Sequence, residues 1–209
     1  MIINCSETKT EQLYRLLIGS VVPRPIAWVS TRSIAGVDNL APFSFYNVFS
    51  IKPPMLGFSP GYKRPATASS TAIAKDTLTN VRETGEFVVN VVSQFLTAQM
   101  NQSSADYPPD VSEFSAVNVT AAACTMVKPP RVGEALISME CKVFHIHDLG
   151  GSALVLGEIS YIHLKDEVVK TSPEGQLSID LDVLQPVGRL SGNLYSTIKD
   201  RFEIARPEV

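Results

Sequence analysis

Residues 134–164 read EALISMECKVFHIHDLGGSALVLGEISYIHL: two long strand-like runs, about 134–147 and 153–164, around the Gly150-Gly151 turn signal. A hairpin of that length makes an antiparallel sheet the frame into which the rest of the chain must fit. Upstream, Glu86-Phe87-Val88-Val89-Asn90-Val91-Val92 is the clearest β-run, and Ile26 to Thr31 reads as a mostly buried strand returned by a turn at Ala35-Gly36. A further extended stretch runs from Leu40 to Ser50, and Lys52-Pro53-Pro54 breaks it before the apolar strand Met55 to Ser59. With six or more strands and no strict βαβ alternation, the pattern predicts a mainly β, antiparallel barrel with short helical insertions.

Those insertions have their own signals. Thr8 and Glu11 have capping-box spacing ahead of Leu13, Leu16 and Leu17, and Gly19 can close the helix, so an N-terminal helix is expected over about 8–18. Residues 60–75 are a loop rich in Gly, Pro, Ser and Ala. Asp76 is placed to cap the next helix, whose Leu78 and Val81 face inward and whose end is Gly85. A short helix is expected from Ser93, residues 102–118 read as an irregular excursion, and about 180–209 as a mixed C-terminal extension of one domain spanning 1–209.

The chain has 209 residues, 18 Lys plus Arg and 21 Asp plus Glu, a formal net charge of −3. No basic run supports phosphate neutralisation, which excludes nucleic acid as the partner. No segment approaches a membrane span, and the N-terminus lacks a secretory pattern. Cys5, Cys124 and Cys141 show no CxxC spacing, so a reducing, cytoplasmic setting is expected, and the sequons at Asn101 and Asn118 are chance matches. The charged share of 19% is low, which suggests surface covered by a partner.

No P-loop, GxGxxG or GxSxG motif is present. Cys141, His145 and His147 would project from one face of a strand, a trio that could bind zinc or copper or simply belong to a half-buried strand; a fourth ligand is missing, and no metal is expected. Small hydroxyl and amide residues cluster instead: Ser30, Thr31, Asn39, Ser44, Asn47, Ser50 and Ser59, with Ala41-Pro42 just ahead of Ser44. A strand proline leaves backbone groups free, and such a site suits a flat heterocycle with polar edges. The same residues could instead only satisfy the turns of a barrel rim. Lys75-Asp76-Thr77 opens a helix whose free amides favour a phosphate, with Arg64 on the loop leading in. Asp76 is read there as the cap or as a partner for sugar hydroxyls.

Six segments together resemble the flavin reductase-like family of FMN-binding split barrels, which includes flavoredoxin: PRPIAWVST (23–31), NLAPFSFYNVFSIKPP (39–54), LGFSP (56–60), KDTLTNVRETGEFVVNV (75–91), LGEISYIH (156–163) and PVGRLSGNLY (186–195). Their order is more specific than any single motif. The resemblance implies a six-stranded antiparallel Greek-key barrel, a homodimer, and FMN held near the subunit interface. Ser30, Thr31, Asn39, Ala41, Pro42, Phe43, Ser44, Phe45, Tyr46 and Asn47 are then expected around the isoalloxazine ring. Ser59, Arg64, Lys75 and Thr77 are expected at the phosphate with Asp76 between them, and Arg189 near the flavin. Trp28 is expected to fill the core.

The family divides between enzymes that use NAD(P)H to reduce flavin for a monooxygenase and proteins that keep FMN and pass electrons to a partner. The expected activity is hydride transfer from NAD(P)H to FMN. The alternatives are a non-enzymatic FMN carrier and a cofactor-free interaction protein. In either flavin case the cofactor carries the hard chemistry, so a missing catalytic triad does not count against it.

Overall fold

The computed structural model describes residues 1–64 and 72–207. Its strands are β1 (Ala27–Arg32), β2 (Asp38–Phe43), β3 (Tyr46–Ile51), β4 (Pro54–Phe58), β5 (Tyr62–Arg64), β6 (Ile73–Ala74), β7 (Glu86–Val91), β8 (Ala121–Ala122), β9 (Arg131–Val132), β10 (Ile137–Asp148) and β11 (Ala153–Leu164). Helices α1 (Thr10–Ser20), α2 (Asp76–Thr84), α3 (Thr97–Gln102) and α4 (Glu113–Ala116) punctuate them, and short strand pairs follow β11. Seven strands form one antiparallel sheet in the order β2-β1-β7-β10-β11-β4-β3, one more than the six expected.

This sheet has to curl. Its two edges, β2 and β3, are joined by Ser44 and Phe45 alone. Seven strands laid flat would put those edges about 29 Å apart, whereas two intervening residues span about 11 Å at most. The predicted stretch from Leu40 to Ser50 is therefore two strands on opposite edges, and the fold is the expected mainly β split barrel with helical insertions. The β1–β7 and β11–β4 pairings are long crossovers of Greek-key type.

Side-chain alternation divides the core. Ala27, Val29, Phe43, Phe58, Phe87, Val89 and Val155 fill the barrel interior, where Phe43–Phe58 and Phe58–Phe87 ring centroids stand 5.2 and 5.3 Å apart. Trp28, Leu40 and Val92 point outward and are covered by Leu96, Met100 and Phe114. Both faces of β1 and β7 are thus buried, the reason their sequences read as nearly continuous apolar runs. Trp28 is fully buried, as expected, and its Nε1 donates to Ser103 Oγ at 2.9 Å. Gly157 lies against the interior rings, where a Cβ would come within 2.3 Å of Phe87 Cζ.

Several local expectations are corrected. The N-terminal helix runs Thr10–Ser20, so Gly19 does not end it. Its N-cap is Lys9 with no side-chain cap, and Thr8 Oγ1 donates instead to Asn4 O at 2.6 Å. Asp76 is not the cap of α2; Lys75 holds that position, and Asp76 pairs with Lys63 at 2.8 Å. Gly85 does close α2, with φ 69°. Cys141, His145 and His147 do not share a face. The register shift at Val143/His145 leaves Phe144 as an extra residue on β10 and changes the parity there, so Cys141, Val143 and Ile146 pack into the core while both histidines face out.

Glu140, fully buried on β10, fastens the loop beside the sheet. Its carboxylate accepts from the amides of Thr125 (2.6 Å), Met126 (2.7 Å) and Val127 (3.0 Å) and meets His163 Nε2 at 2.5 Å. Burial alone would raise its pKa, but these hydrogen bonds outweigh burial and hold it at about 2. Cys124, nearby, is pushed up to about 11 by burial and by the Glu140 charge, and stays a thiol. The folded-state value of Glu140 lies below its ordinary 4.5, so its contribution is complete above that pH and fades as pH falls from about 4.5 toward 2. Glu140→Gln, which turns an amide toward those N–H donors, is expected to cost about 2 kcal/mol or more at pH 7. The gap from the natural protein should narrow below about pH 4.5 and close only near pH 2, read by urea unfolding of the single tryptophan, Trp28.

Candidate functional site

Strand β2 is the spine of the site. As an edge strand it turns alternate backbone groups away from the sheet, and Pro42, opposite Trp28 of β1, is tolerated there for that reason. Its Asn39 end meets the start of α2, and its far end runs into Ser44.

At the Asn39 end the hydroxyl and amide residues interlock. Thr77 Oγ1 donates to Asn39 Oδ1 at 2.8 Å, and Thr31 Oγ1 donates to the same oxygen at 3.3 Å. Asn80 Nδ2 donates to Thr31 Oγ1 at 2.9 Å. Asn39 Nδ2 donates to Glu113 Oε1 at 2.7 Å, and the Leu40 amide to Glu113 Oε2 at 2.9 Å. All five side chains are buried. Burial pushes the Glu113 carboxyl above its ordinary range, with the Leu40 and Asn39 hydrogen bonds acting the other way. The network clamps α2, β2 and α4 together, and a narrow cleft of about 50 Å³ opens above it between Ala41-Pro42, Lys63, Lys75 and Ser104. Lys63 is neutralised by Asp76, whereas Lys75 makes no ion pair among the described residues. The first amides of α2 have no partner within the helix.

At the far end lies a larger cavity of about 480 Å³, which shares Pro42 and Ser104 with the cleft. Arg24, only 6% exposed, sits in its wall. Its Nη1 donates to Ile18 O and Val21 O at 2.7 Å each, Nη2 to Leu190 O at 3.0 Å, and Nε to Ser44 Oγ at 3.3 Å. Burial lowers the Arg24 pKa; Tyr14 opposes that and the Arg189 charge adds to it. Arg189 bonds Tyr195 Oη and Gly192 O, and its guanidinium lies 4.6 Å from the Tyr195 ring centroid. The backbones of Arg24 and Arg189 exchange hydrogen bonds of 2.9 and 2.8 Å, which docks the C-terminal segment on the barrel.

Of the predicted residues, Asn39, Ala41, Pro42, Lys75, Asp76 and Thr77 gather at the cleft. Pro42, Phe43, Ser44 and Arg189 line the larger cavity. Thr31 stands behind the cleft within the network. Ser30 is fully buried, its hydroxyl donating to Pro130 O at 2.5 Å, and lines neither cavity. Phe45 is exposed, with the Arg24 guanidinium 5.9 Å from its ring. Tyr46 packs on the core, and burial raises its hydroxyl to about 12. Asn47 is exposed and bonds the Val48 amide, while the Ser59 amide donates to Phe45 O. Arg64 ends β5, and its side chain lies outside the described residues.

Two functional positions were missed by sequence reasoning. The only signal for Arg24 is a charge between Pro23 and Pro25 ahead of an apolar strand. Glu113 lies in the excursion 102–118, where no period marks it as buried. Glu113→Ala, leaving Asn39 Nδ2 and the Leu40 amide unpaired, is expected to cost about 2–4 kcal/mol. Glu113→Gln keeps an acceptor without the buried charge and should cost less than half as much, both read by denaturant unfolding.

Comparison with known proteins agrees with this architecture. A family model described as "Flavin reductase like domain" matches residues 18–177. Protein BH2278 of Halalkalibacterium halodurans is 38% identical over 215 residues, covering 100% of this chain and 98% of the relative. The crystal structure of nitrilotriacetate monooxygenase component B from Bacillus cereus aligns with TM-score 0.88 at 31% identity, covering 98% of each chain. That of Pseudomonas fluorescens 2-nitrobenzoate 2-nitroreductase NbaA aligns with TM-score 0.86 at 32% identity, covering 99% of this chain and 96% of the other. Flavoredoxin of Desulfovibrio vulgaris shares the fold, with TM-score 0.72 at 17% identity over 98% of this chain and 97% of its own.

Proposed function

The chain belongs to the flavin reductase-like family, and from that premise we propose that it binds FMN along β2 and transfers hydride from NAD(P)H to it. The observation that carries this reading is the strand with a lysine that makes no ion pair among the described residues and a helix N-terminus at one end, and at the other Pro42, Phe43 and Ser44 in a cavity wall that Arg24 and Arg189 share. Asn39 to Ser44 spans about 17 Å of extended chain, room for an elongated ligand with a phosphate at one end and a flat ring at the other.

The donor set fits that group. Lys75 and the first amides of α2 would hold the phosphate, with Thr77 kept in place by Asn39. The outward backbone groups of β2 would read the ring edge, and Pro42 would supply apolar contact. Bound flavin supplies the hydride chemistry; the chain binds it, orients it and sets its electrostatic surroundings, and no side chain need act as acid or base. Asn47, whose side chain is engaged by the Val48 amide, would come near the ligand through its backbone rather than its side chain.

A homodimer is part of the reading. The edge strand β3 exposes Val48, Phe49 and Ile51, an apolar edge that a lone barrel would leave open to aggregation, and Phe45 beside it belongs to the same β2–β3 link. A second copy of the chain over that strand would cover it and close the ring end of the site. A monooxygenase or another electron-transfer protein is the proposed consumer of the electrons, and the cytoplasm the proposed setting.

FMN titration tests the first step: one FMN per chain is expected, and a protein that gains no flavin absorbance refutes the reading. Anaerobic mixing with NADH and then NADPH should bleach the flavin, whereas bound but unreactive flavin would make the protein an electron carrier. Lys75→Ala should weaken FMN about ten-fold to a hundred-fold and riboflavin much less, because a charge-assisted hydrogen bond contributes about 1.5–3 kcal/mol. Equal losses would move the phosphate away from Lys75. Light scattering should give a dimer that Phe49→Asp converts to monomer.

A further inference from the structure

The fold disperses Cys141, His145 and His147, but it brings a different trio together. Cys124 Sγ, a carboxylate oxygen of Glu140 and an imidazole nitrogen of His163 all lie within 4.8 Å of one another. Three separate elements place them there: the loop between β8 and β9, strand β10 and strand β11. His163 pairs with Ser138, two residues before Glu140, so its ring and the Glu140 carboxylate share one face of the hairpin. Met139 and Cys141, on either side of Glu140, pack into the barrel interior, so the shared face is the outer one.

Thiolate, imidazole and carboxylate are the three side-chain ligands that zinc takes. The charge balance also suits a divalent cation. Glu140 is fully buried, and it is answered by three neutral amides and the His163 ring, with no lysine or arginine pairing it among the described residues. One carboxylate and one thiolate carry two negative charges, which a divalent ion cancels, with a neutral imidazole as third ligand. The product has no net charge for the nearby Arg131 and Arg32 to repel, and both of these cations favour the Cys124 thiolate. Without a metal Cys124 keeps its proton; binding replaces that proton with the ion and releases it to solvent.

The geometry leaves room for the exchange. Three amides occupy three of the roughly four lone-pair positions of the carboxylate, and His163 Nε2 meets the carboxylate at Oε1. That 2.5 Å contact would open to about 3.3 Å, the spacing of two ligand atoms each about 2.0–2.1 Å from a tetrahedral zinc. The His163 side chain is 26% exposed and Cys124 is on a half-buried loop, so both can make the adjustment. The same opening gives the ion a path in and a water its place as fourth ligand.

We propose that Cys124, Glu140 and His163 form a binding site for one zinc ion, which fastens the β8–β9 loop to the β10–β11 hairpin. The site is independent of the flavin reading, since none of the three residues lines the cleft or the larger cavity.

Metal titration of the full chain carrying Cys5→Ser, which removes the exposed thiol, tests it. One cobalt(II) per chain is expected, with thiolate-to-cobalt charge-transfer absorption and the intense visible bands of a tetrahedral ion, all displaced by zinc. X-ray absorption of the zinc-loaded chain should show one sulfur at about 2.3 Å, with nitrogen and oxygen at about 2.0–2.2 Å. Cys124→Ser and His163→Gln should each weaken zinc by more than the roughly 10–100-fold that loss of a merely supporting residue costs. Glu140→Gln is less suitable because the same carboxylate anchors three amides. The absorption measurement reads the sulfur ligand without a variant at the site, so it decides the matter even where Cys124→Ser fails to fold. No stoichiometric binding, a zinc shell without sulfur, or unchanged affinity in Cys124→Ser overturns the proposal. So does loss of binding in His145→Gln with none in His163→Gln, which would put the ion on the exposed His145–His147 pair, whose rings stand 6.3 Å apart.

Discussion

The link of two residues between β2 and β3 is the constraint from which the rest of the structure follows. Ser44 and Phe45 join opposite edges of a seven-stranded sheet, so the sheet must roll until those edges meet. Rolling encloses Phe43, Phe58 and Phe87 and leaves no room for a side chain at Gly157. It also leaves the seam at β2 and β3 only partly closed, and the outward backbone of β2 faces whatever enters that seam. Arg24 holds the link in place, with its Nε on Ser44 Oγ and its Nη atoms on three carbonyls from two other segments. The residue that fixes the closure is therefore also the residue that brings a charge to the larger cavity.

The opposite end of β2 is fixed by a different means. Thr31, Asn39, Thr77, Asn80 and Glu113 come from β1, β2, α2 and α4, and each places a polar group where no water is needed to satisfy it. Replacing such a network piecemeal leaves unpaired donors, which is why its members act as a unit. The network carries the position of α2, and with it Lys75 and the first amides of the helix. The hydroxyl and amide residues that stand out in the sequence thus serve in part to build the wall of the site rather than to touch a ligand.

How much of this was legible depends on the range of the interaction. The β-runs, the Pro-Pro break before β4 and the αL glycine at Gly85 are local effects of backbone and side-chain packing, and they read directly from the chain. The gathering of Asn39, Pro42, Lys75 and Thr77 was legible because the segments carry an ordered family pattern. The Cys141, His145 and His147 face was misjudged because the extra residue at Phe144 depends on how β10 pairs with β11 over distance. The caps at Thr8 and Asp76 failed for a related reason: Asn4 O and Lys63 offered those side chains stronger partners than the helix ends. Glu113 was invisible, since a glutamate in an irregular stretch shows nothing of its burial until β2 is laid beside it.

The placement of charge separates the two ends of β2. At the cleft both signs of charge are present: Lys63 pairs with Asp76 at 2.8 Å, Lys75 makes no ion pair among the described residues, and Glu113 is held by neutral donors. The field there is mixed, and a ligand's anion gains chiefly from Lys75 and the helix amides. At the larger cavity two cations act together with no acid among the described residues of the wall. These walls come from the segments outside the barrel: α1 through Tyr14 and Ile18, the residues after α3 through Ser104, and the C-terminal segment through Arg189 and Tyr195. The barrel supplies the strand along which a ligand lies, and the insertions supply the charge that discriminates between ligands. A change of partner molecule on this frame is therefore expected through side chains of α1, of the excursion 102–118 other than the buried Glu113, and of residues 186–195, which lie outside the barrel interior.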